Sequence, residues 1–216
     1  MTMAVQLLVL AKAPVPGLVK TRLCPPCTPV HAAAVAAAAL RDTFHTVDAA
    51  PAAGRALVAS GDLSPPPGWA VVAQRGDGLA DRLANAFADT AAGGLASLIV
   101  GMDTPHMTPE LLTRVADGLR DADAVLGPAL DGGWWILALR DPSHADALRC
   151  VPMSTKDTGR LTVEALRRRR LVVALGPTLQ DVDTAADARA IAAQHPHTRF
   201  AAAVREHVPA EGHAPR

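Results

Sequence analysis

Acidic and basic residues in a few short motifs carry the chemistry that this 216-residue sequence could perform. Asp103 closes the apolar run SLIVGM, Asp181 and Asp183 alternate in LQDVDT, and Asp131 precedes two glycines in GPALDGGWWIL. Carboxylates presented at strand ends can hold a hard divalent cation through their oxygens. Near the N-terminus the segment AKAPVPGLVKTRL supplies Lys12, Lys20 and Arg22 around Pro14, Pro16 and Gly17. Ligands of open α/β sheets bind at the carboxyl edge of the strands. A loop stiffened by proline loses less freedom when it grips a diphosphate, and glycine lets backbone come close. Together the two groups point to a protein that handles nucleotides with a metal.

Each motif also has a purely structural reading. The three cations could be solvated loop residues, and the phosphate loop pattern G-x-x-x-x-G-K-[ST] is absent. Asp103 could cap the turn that follows it. In D-x-D an extended backbone sends both carboxylates to one side and Val182 to the core. Like charges so placed repel, which a cation relieves, but Asp183 could instead favour the start of the next helix electrostatically. Asp131-Gly132 between apolar runs is a strong hairpin signal, and it could also bring Gly132, Gly133 and a carboxylate against a substrate. Ser154, Thr155 and Lys156 precede a helical segment, which suits an anionic group or an ordinary cap.

Elements that position these groups are legible. Apolar runs at 5–11, 56–60, 70–74, 97–102, 124–129, 134–139 and 171–175 read as strands, most of them too apolar for a sheet with one wet face. They alternate with alanine-rich segments, the pattern of βαβ units around a mostly parallel sheet. Thr28-Pro29 and Thr108-Pro109 each give an N-cap followed by a proline at the first helical position. Helices are expected over Pro29–Thr46, Gly78–Ala92, Pro109–Arg120, Thr158–Arg169 and Thr184–Gln194. The sequence predicts one domain over 1–196 and a loosely held tail over 197–216. Arg167 to Arg170 complement a helix C-terminus. Of Trp134 and Trp135, on opposite faces of one strand, one is expected in the core and one in the cleft.

Half of the residues are hydrophobic, 19% are charged and the formal net charge is zero. No basic excess advertises nucleic acid or an anionic membrane. The opening MTMAVQLLVLAKAPV lacks a preceding cation and meets Lys12 at once, so neither a signal peptide nor a spanning helix is expected, and the cytoplasm is the expected location. Three cysteines do not make a disulfide framework. Cys24 and Cys27 form C-x-x-C without the second pair that a tetrahedral zinc site needs. The histidines show no ligand spacing.

In order and spacing, LVLAKAPVPGLVKTRLCPP, LIVGMDTPHMTPELL, AVLGPALDGGWWILAL, MST and LQDVDTAAD resemble a bacterial glycosyltransferase-like family of uncharacterised proteins related to nucleotide-diphospho-sugar transferases. The likeness runs to about Ala193. It implies a GT-A fold: a single Rossmann-like α/β domain with a mixed, mostly parallel sheet and helices on both faces. By the same resemblance Ala11, Lys12, Gly17, Lys20, Arg22 and Asp103 would bind the nucleotide. Asp103, Asp181 and Asp183 would hold Mg²⁺ or Mn²⁺, and Gly132, Gly133, Ser154 and Thr155 would face the acceptor. The family usually shows a small residue before the Asp103 position and Cys-Pro-Asp after it, whereas Met102 precedes here and Thr104, Pro105 and His106 follow. That departure bears on acceptor identity.

The resemblance implies a transferase that uses a nucleotide sugar or a nucleoside triphosphate and a small-molecule acceptor. For glycosyl transfer, the first expectation, Lys20 or Arg22 would absorb charge on the departing nucleotide and Asp131 would take the proton of an acceptor hydroxyl. For nucleotidyl transfer, as in enzymes acting on phospholactate or phosphoenolpyruvate, an acceptor phosphate would attack a triphosphate and release pyrophosphate. A non-catalytic nucleotide-binding module is the third alternative. Oligomeric state is not legible.

Overall fold

The computed structural model describes residues 4–91 and 93–210. Strands β1 (Val5–Lys12), β2 (Gly54–Ser60), β3 (Ala70–Ala73), β4 (Ala96–Val100), β5 (Ala124–Pro128), β6 (Trp134–Leu139) and β7 (Val173–Leu175) form one sheet. Their spatial order is β3–β2–β1–β4–β6–β5–β7. All neighbours are parallel except β6, which runs antiparallel to both β4 and β5. The chain winds outward from β1 through β2 to β3, then returns to place β4 on the other side of β1. The β1–β4 boundary is therefore a switch point, where ligands of open α/β sheets bind.

Both faces of the sheet are covered, as near-continuous apolar strands require. Along β1, Val5, Leu7, Val9 and Ala11 face helices α1 (Pro29–Ala49) and α3 (Pro109–Gly118). Leu8 faces the opposite way, toward helices α2 (Leu79–Thr90) and α4 (Thr158–Arg168) and a 3₁₀ stretch at Pro142–Cys150. The Thr28 and Thr108 side chains accept from His31 N and Leu111 N, so both Thr-Pro caps form as the sequence dictates.

Helix α1 is alanine-rich because it is buried on two sides. Ala33, Ala36 and Leu40 meet the sheet, while Ala32, Val35 and Ala39 meet α5 (Ala185–Gln194) and α6 (Arg199–His207). Small side chains let helices approach on both flanks at interior packing density.

Helix α6 differs from the expected loose tail over 197–216. Thr198 caps it by accepting from Ala201 N, and Phe200, Ala201 and Val204 are buried against α1 and α5. The buried carboxylate of Asp42 on α1 accepts from Phe200 N at 2.7 Å and from Arg199 N at 3.3 Å, satisfying first-turn donors that helix geometry leaves open. Residues 211–216 of that expected tail lie outside the described residues, as does Ala92, the expected end of α2. The 3₁₀ stretch was not expected either. It starts at Asp141, whose side chain accepts from Ser143 N, and Arg149 ties it to Asp81 and Asn85 of α2. Among the described residues no helix is long and apolar enough to cross a membrane.

Candidate functional site

A cavity of about 710 Å³ opens at the carboxyl edge of β1 and β4, within the size range of small-molecule sites. It gathers residues from segments far apart in sequence: Ala11 and Lys12 from the end of β1, Lys20 and Arg22 from the stretch that follows it, Asp103 after β4, Asp131 and Gly133 from the β5–β6 turn, Ser154 and Thr155 before α4, and Asp181 and Asp183 before α5.

Val182 fastens three of these segments together. Its side chain is fully buried beside α1 and α5, so the flanking carboxylates face the cavity as the alternation predicts. Its N–H donates to Asp103 O at 2.9 Å, and its carbonyl accepts from Lys20 Nζ. Lys20 also pairs with Asp103 Oδ1, and its side chain is only 8% exposed. Reaching both partners holds Lys20 at φ 47, in the left-handed region that a residue with a side chain rarely occupies. Backbone strain of this kind clusters at functional sites. Arg22 extends the pattern outward, with Nη1 2.9 Å from Asp183 Oδ2.

Asp181 is the electrostatic centre of the site. Its Oδ1 is buried with no hydrogen-bond partner. Burial, reinforced by the charges of Asp103 and Asp131 and opposed by Lys20, pushes its carboxyl from 3.8 up to about 7. Among the described residues no group of three or more His, Cys, Asp or Glu is arranged to hold a metal ion. Asp103 and Asp183 are instead neutralised by Lys20 and Arg22, so the three expected metal residues share the cavity without closing into a ligand set.

Asp131 holds the turn and also lies on the cavity. Its Oδ1 accepts from Gly133 N at 2.8 Å within the β5–β6 turn, and it lines the cavity. Gly132 does not line the cavity. At φ +90 it packs on the next segment, where a Cβ would lie 2.0 Å from Lys156 O. Its carbonyl accepts from Gly159 N, which locks the turn to the start of α4. Gly17 also lies outside the lining, in an exposed turn at φ +78. Ser154 lines the cavity at φ 59. Thr155 also lines the cavity; its hydroxyl accepts from Asp157 N and lies 3.2 Å from the Thr158 hydroxyl, a turn ahead of α4, whose N-cap Asp157 makes no side-chain cap bond.

The carboxylate that caps α5 is Asp187, which accepts from Thr184 N in a capping box; Asp183 is left for Arg22. Sequence reasoning missed Gln74, Leu10, Leu83 and Met153 in the cavity wall. Gln74 donates to Ala11 O and Val58 O and so closes the gap between β1 and β2. The signal was a lone amide at the end of the apolar run AVVAQ. Trp135 is 3% exposed and donates to Pro177 O, whereas Trp134 is half-buried; both border the cavity. Cys24 and Cys27 are free thiols, and burial pushes the Cys27 thiol up.

Residues 32–155 match the model of DUF2064, a family described as an uncharacterized protein conserved in bacteria. A solved protein from Desulfovibrio desulfuricans G20, provisionally named a nucleotide-diphospho-sugar transferase, superposes with a TM-score of 0.84 at 27% identity. The match covers 94% of this chain and 95% of that one. Rv0371c from Mycobacterium tuberculosis H37Rv matches at a TM-score of 0.55 and 19% identity, over 88% of this chain and 98% of that one. A CMP:2-keto-3-deoxy-manno-octonic acid synthetase complexed with CTP matches at 0.56 and 12% identity, over 89% of this chain and all of that one. No curated protein sequence matches the chain. The GT-A-like fold expected from the sequence is thus the fold of these neighbours.

Proposed function

The chain belongs to the bacterial family DUF2064, and we propose that it is a nucleotide-using transferase that moves a sugar from a nucleotide-diphospho-sugar to a small acceptor. The observation that carries this reading is the convergence of Lys12, Lys20 and Arg22 with Asp103, Asp131, Asp181 and Asp183 on one cavity at the sheet's switch point. The provisional name of the Desulfovibrio desulfuricans neighbour supports it.

Lys12, Lys20 and Arg22 bind the diphosphate and stabilise the charge that develops on it as it departs. The acceptor oxygen attacks the sugar carbon, its proton passes to Asp131, and the bond to the diphosphate breaks with its electron pair leaving on phosphate oxygen. Asp131 is suited to that role because Gly133 N fixes one of its oxygens and thereby orients the other.

As oxygen donors Asp103, Asp181 and Asp183 suit a hard cation such as Mg²⁺ or Mn²⁺, although they do not close into a ligand set in this arrangement. The orphaned Oδ1 of Asp181, crowded by Asp103, Asp131 and Asp183, is a site where positive charge relieves both an unmet acceptor and repulsion. Asp103, Asp181 and Asp183 are the residues that would hold the ion. When bound, it supplies Lewis-acid stabilisation of the leaving diphosphate.

The test is a panel of nucleotide sugars with Mn²⁺, assayed for free sugar and nucleoside diphosphate released by slow hydrolysis in the absence of acceptor. Such release from at least one donor is expected, with loss in Asp103→Ala. Pyrophosphate release from a triphosphate, without sugar release from any donor, would overturn glycosyl transfer in favour of nucleotidyl transfer. Nucleotide binding with no product from either class would mark a binding module.

A further inference from the structure

Among the described residues four cations line the cavity, Lys12, Lys20, Arg22 and Lys156. Three of them are already held by oxygens of this chain: Lys12 Nζ donates to Leu18 O at 3.1 Å, Lys20 meets Asp103 and Val182 O, and Arg22 meets Asp183. The ammonium of Lys156 has neither a hydrogen-bond nor an ion-pair partner among the described residues. The diphosphate contacts proposed above use the first three and leave Lys156 over.

Its backbone is nonetheless fixed. The Thr158 hydroxyl donates to Pro152 O at 3.0 Å and accepts from Thr155 N at 3.0 Å, which folds the segment ahead of α4 onto the start of that helix. Gly159 N donates to Gly132 O at 2.8 Å, and a Cβ at Gly132 would stand 2.0 Å from Lys156 O. Lys156 is thereby fastened to the turn that carries Asp131.

The groups left unpaired on this side can all donate. The Ser154 hydroxyl lines the cavity with no partner among the described residues. The indole N–H of Trp134, which with Met153 packs on the α2 and α4 side of the sheet, is buried without one. An ammonium and an indole N–H cannot accept, so the occupant that suits them brings acceptors. A carboxylate does so, and it carries the single negative charge that Lys156 offsets. A phosphate dianion would leave a second charge unmet beside Asp131.

We propose that Ser154 and Lys156 form the acceptor subsite, and that the acceptor is a small hydroxy acid whose carboxylate takes the Lys156 ammonium and the Ser154 hydroxyl while its own hydroxyl faces Asp131. The word acceptor rests on the transfer reading above; the anion site does not.

Glycerate, glycerol 3-phosphate and glycerol are titrated calorimetrically into the wild-type protein, Lys156→Gln and Lys156→Arg, each alone and with uridine diphosphate and Mn²⁺ present. Uridine diphosphate with Mn²⁺ is titrated into the same proteins. Glycerate is expected to bind saturably and glycerol not. Glycerate affinity is expected to fall about 10- to 100-fold in Lys156→Gln, the loss of one charge-assisted hydrogen bond, and to return in Lys156→Arg. Glycerate affinity unchanged in Lys156→Gln overturns the proposal. Glycerol binding as tightly as glycerate to the wild-type protein overturns it whether or not a variant folds. Tighter binding of glycerol 3-phosphate than of glycerate overturns the carboxylate in favour of a phosphate ester. A loss of uridine diphosphate affinity of about tenfold in Lys156→Gln overturns the proposal too, because the cation then serves the donor nucleotide. Glycerate binding that depends on Lys156, with no binding of uridine diphosphate, upholds the anion site and counts against the transfer reading alone.

Discussion

Replacing Asp181 by Asn is expected to stabilise the metal-free protein while abolishing its response to a cation. Asn keeps the shape of the side chain but removes a charge that sits half-buried among Asp103, Asp131 and Asp183. Because the folded pKa lies above the unfolded one, the folded state holds a proton that the unfolded chain has released between pH 3.8 and about 7. Wild-type stability therefore falls as pH rises through that window and stays low above it. A rise from 3.8 to about 7 corresponds to roughly 4 kcal/mol at 1.36 kcal/mol per pKa unit. Solvent screening in the open cavity trims this to about 2–4 kcal/mol. Urea denaturation of both proteins in EDTA at pH 8 should show the variant more stable by that amount. At pH 4.5 the difference should shrink to about 1 kcal/mol or less, since the folded carboxyl is then protonated and the pH lies only a little above the unfolded value of 3.8. Adding Mn²⁺ and a nucleoside diphosphate at pH 8 should raise the midpoint of the wild type and leave the variant's in place. Equal stability of the two proteins at pH 8, or a variant less stable than wild type, refutes the argument that crowded negative charge strains this site.

Three other outcomes follow from particular contacts. Lys20→Met removes the buried cation proposed to meet the diphosphate, and isothermal titration with a nucleoside diphosphate should show affinity lower by about 10- to 100-fold, the loss of a charge-assisted hydrogen bond. Gly132→Ala places a methyl 2.0 Å from Lys156 O at φ +90, and should cost about 3 kcal/mol or more in urea denaturation from strain and overpacking combined; a loss under about 1 kcal/mol would show that the turn and α4 separate freely. Asp42→Ala leaves first-turn donors of α6 unpaired. It should lower stability by about 2–3 kcal/mol, with amide exchange accelerating first at Phe200 and Ala201.

Strands β1, β2, β4, β5 and β6 bury both faces and write themselves as unbroken apolar runs, the exposed β3 and the short β7 showed through their paired valines, and Thr-Pro pairs fixed two helix starts because cap and proline act locally. Helix α6 escaped because its local mark is a single cap, Thr198, while its anchor is Asp42, 157 positions away from Arg199. The same reason hid the 3₁₀ stretch, whose Arg149 finds Asp81 only in three dimensions. In the site, residue types announced the charges and their convergence, but not their pairing. That Lys20 would turn left-handed to reach both Asp103 and Val182, or that Asp187 would cap α5 and free Asp183 for Arg22, depends on how distant loops meet. Gly132 and Gly17 look alike in sequence, as turn glycines within three residues of a charge. One is pinned against Lys156 and the other has open space around it, so neither needs to touch a ligand.

Because Lys20 and Arg22 already hold Asp103 and Asp183, a metal finds only Asp181 of its three carboxylates unclaimed, and a phosphate finds both of these cations engaged. A cation arriving alone must strip a carboxylate from its ammonium or guanidinium and strand that group; an anion arriving alone does the reverse. Arriving together, they exchange partners, and each charge released by one newcomer is met by the other. The two ligands should thus bind with positive coupling, each raising the other's affinity by the same factor, so that the resting protein ignores free metal until a nucleotide brings it in.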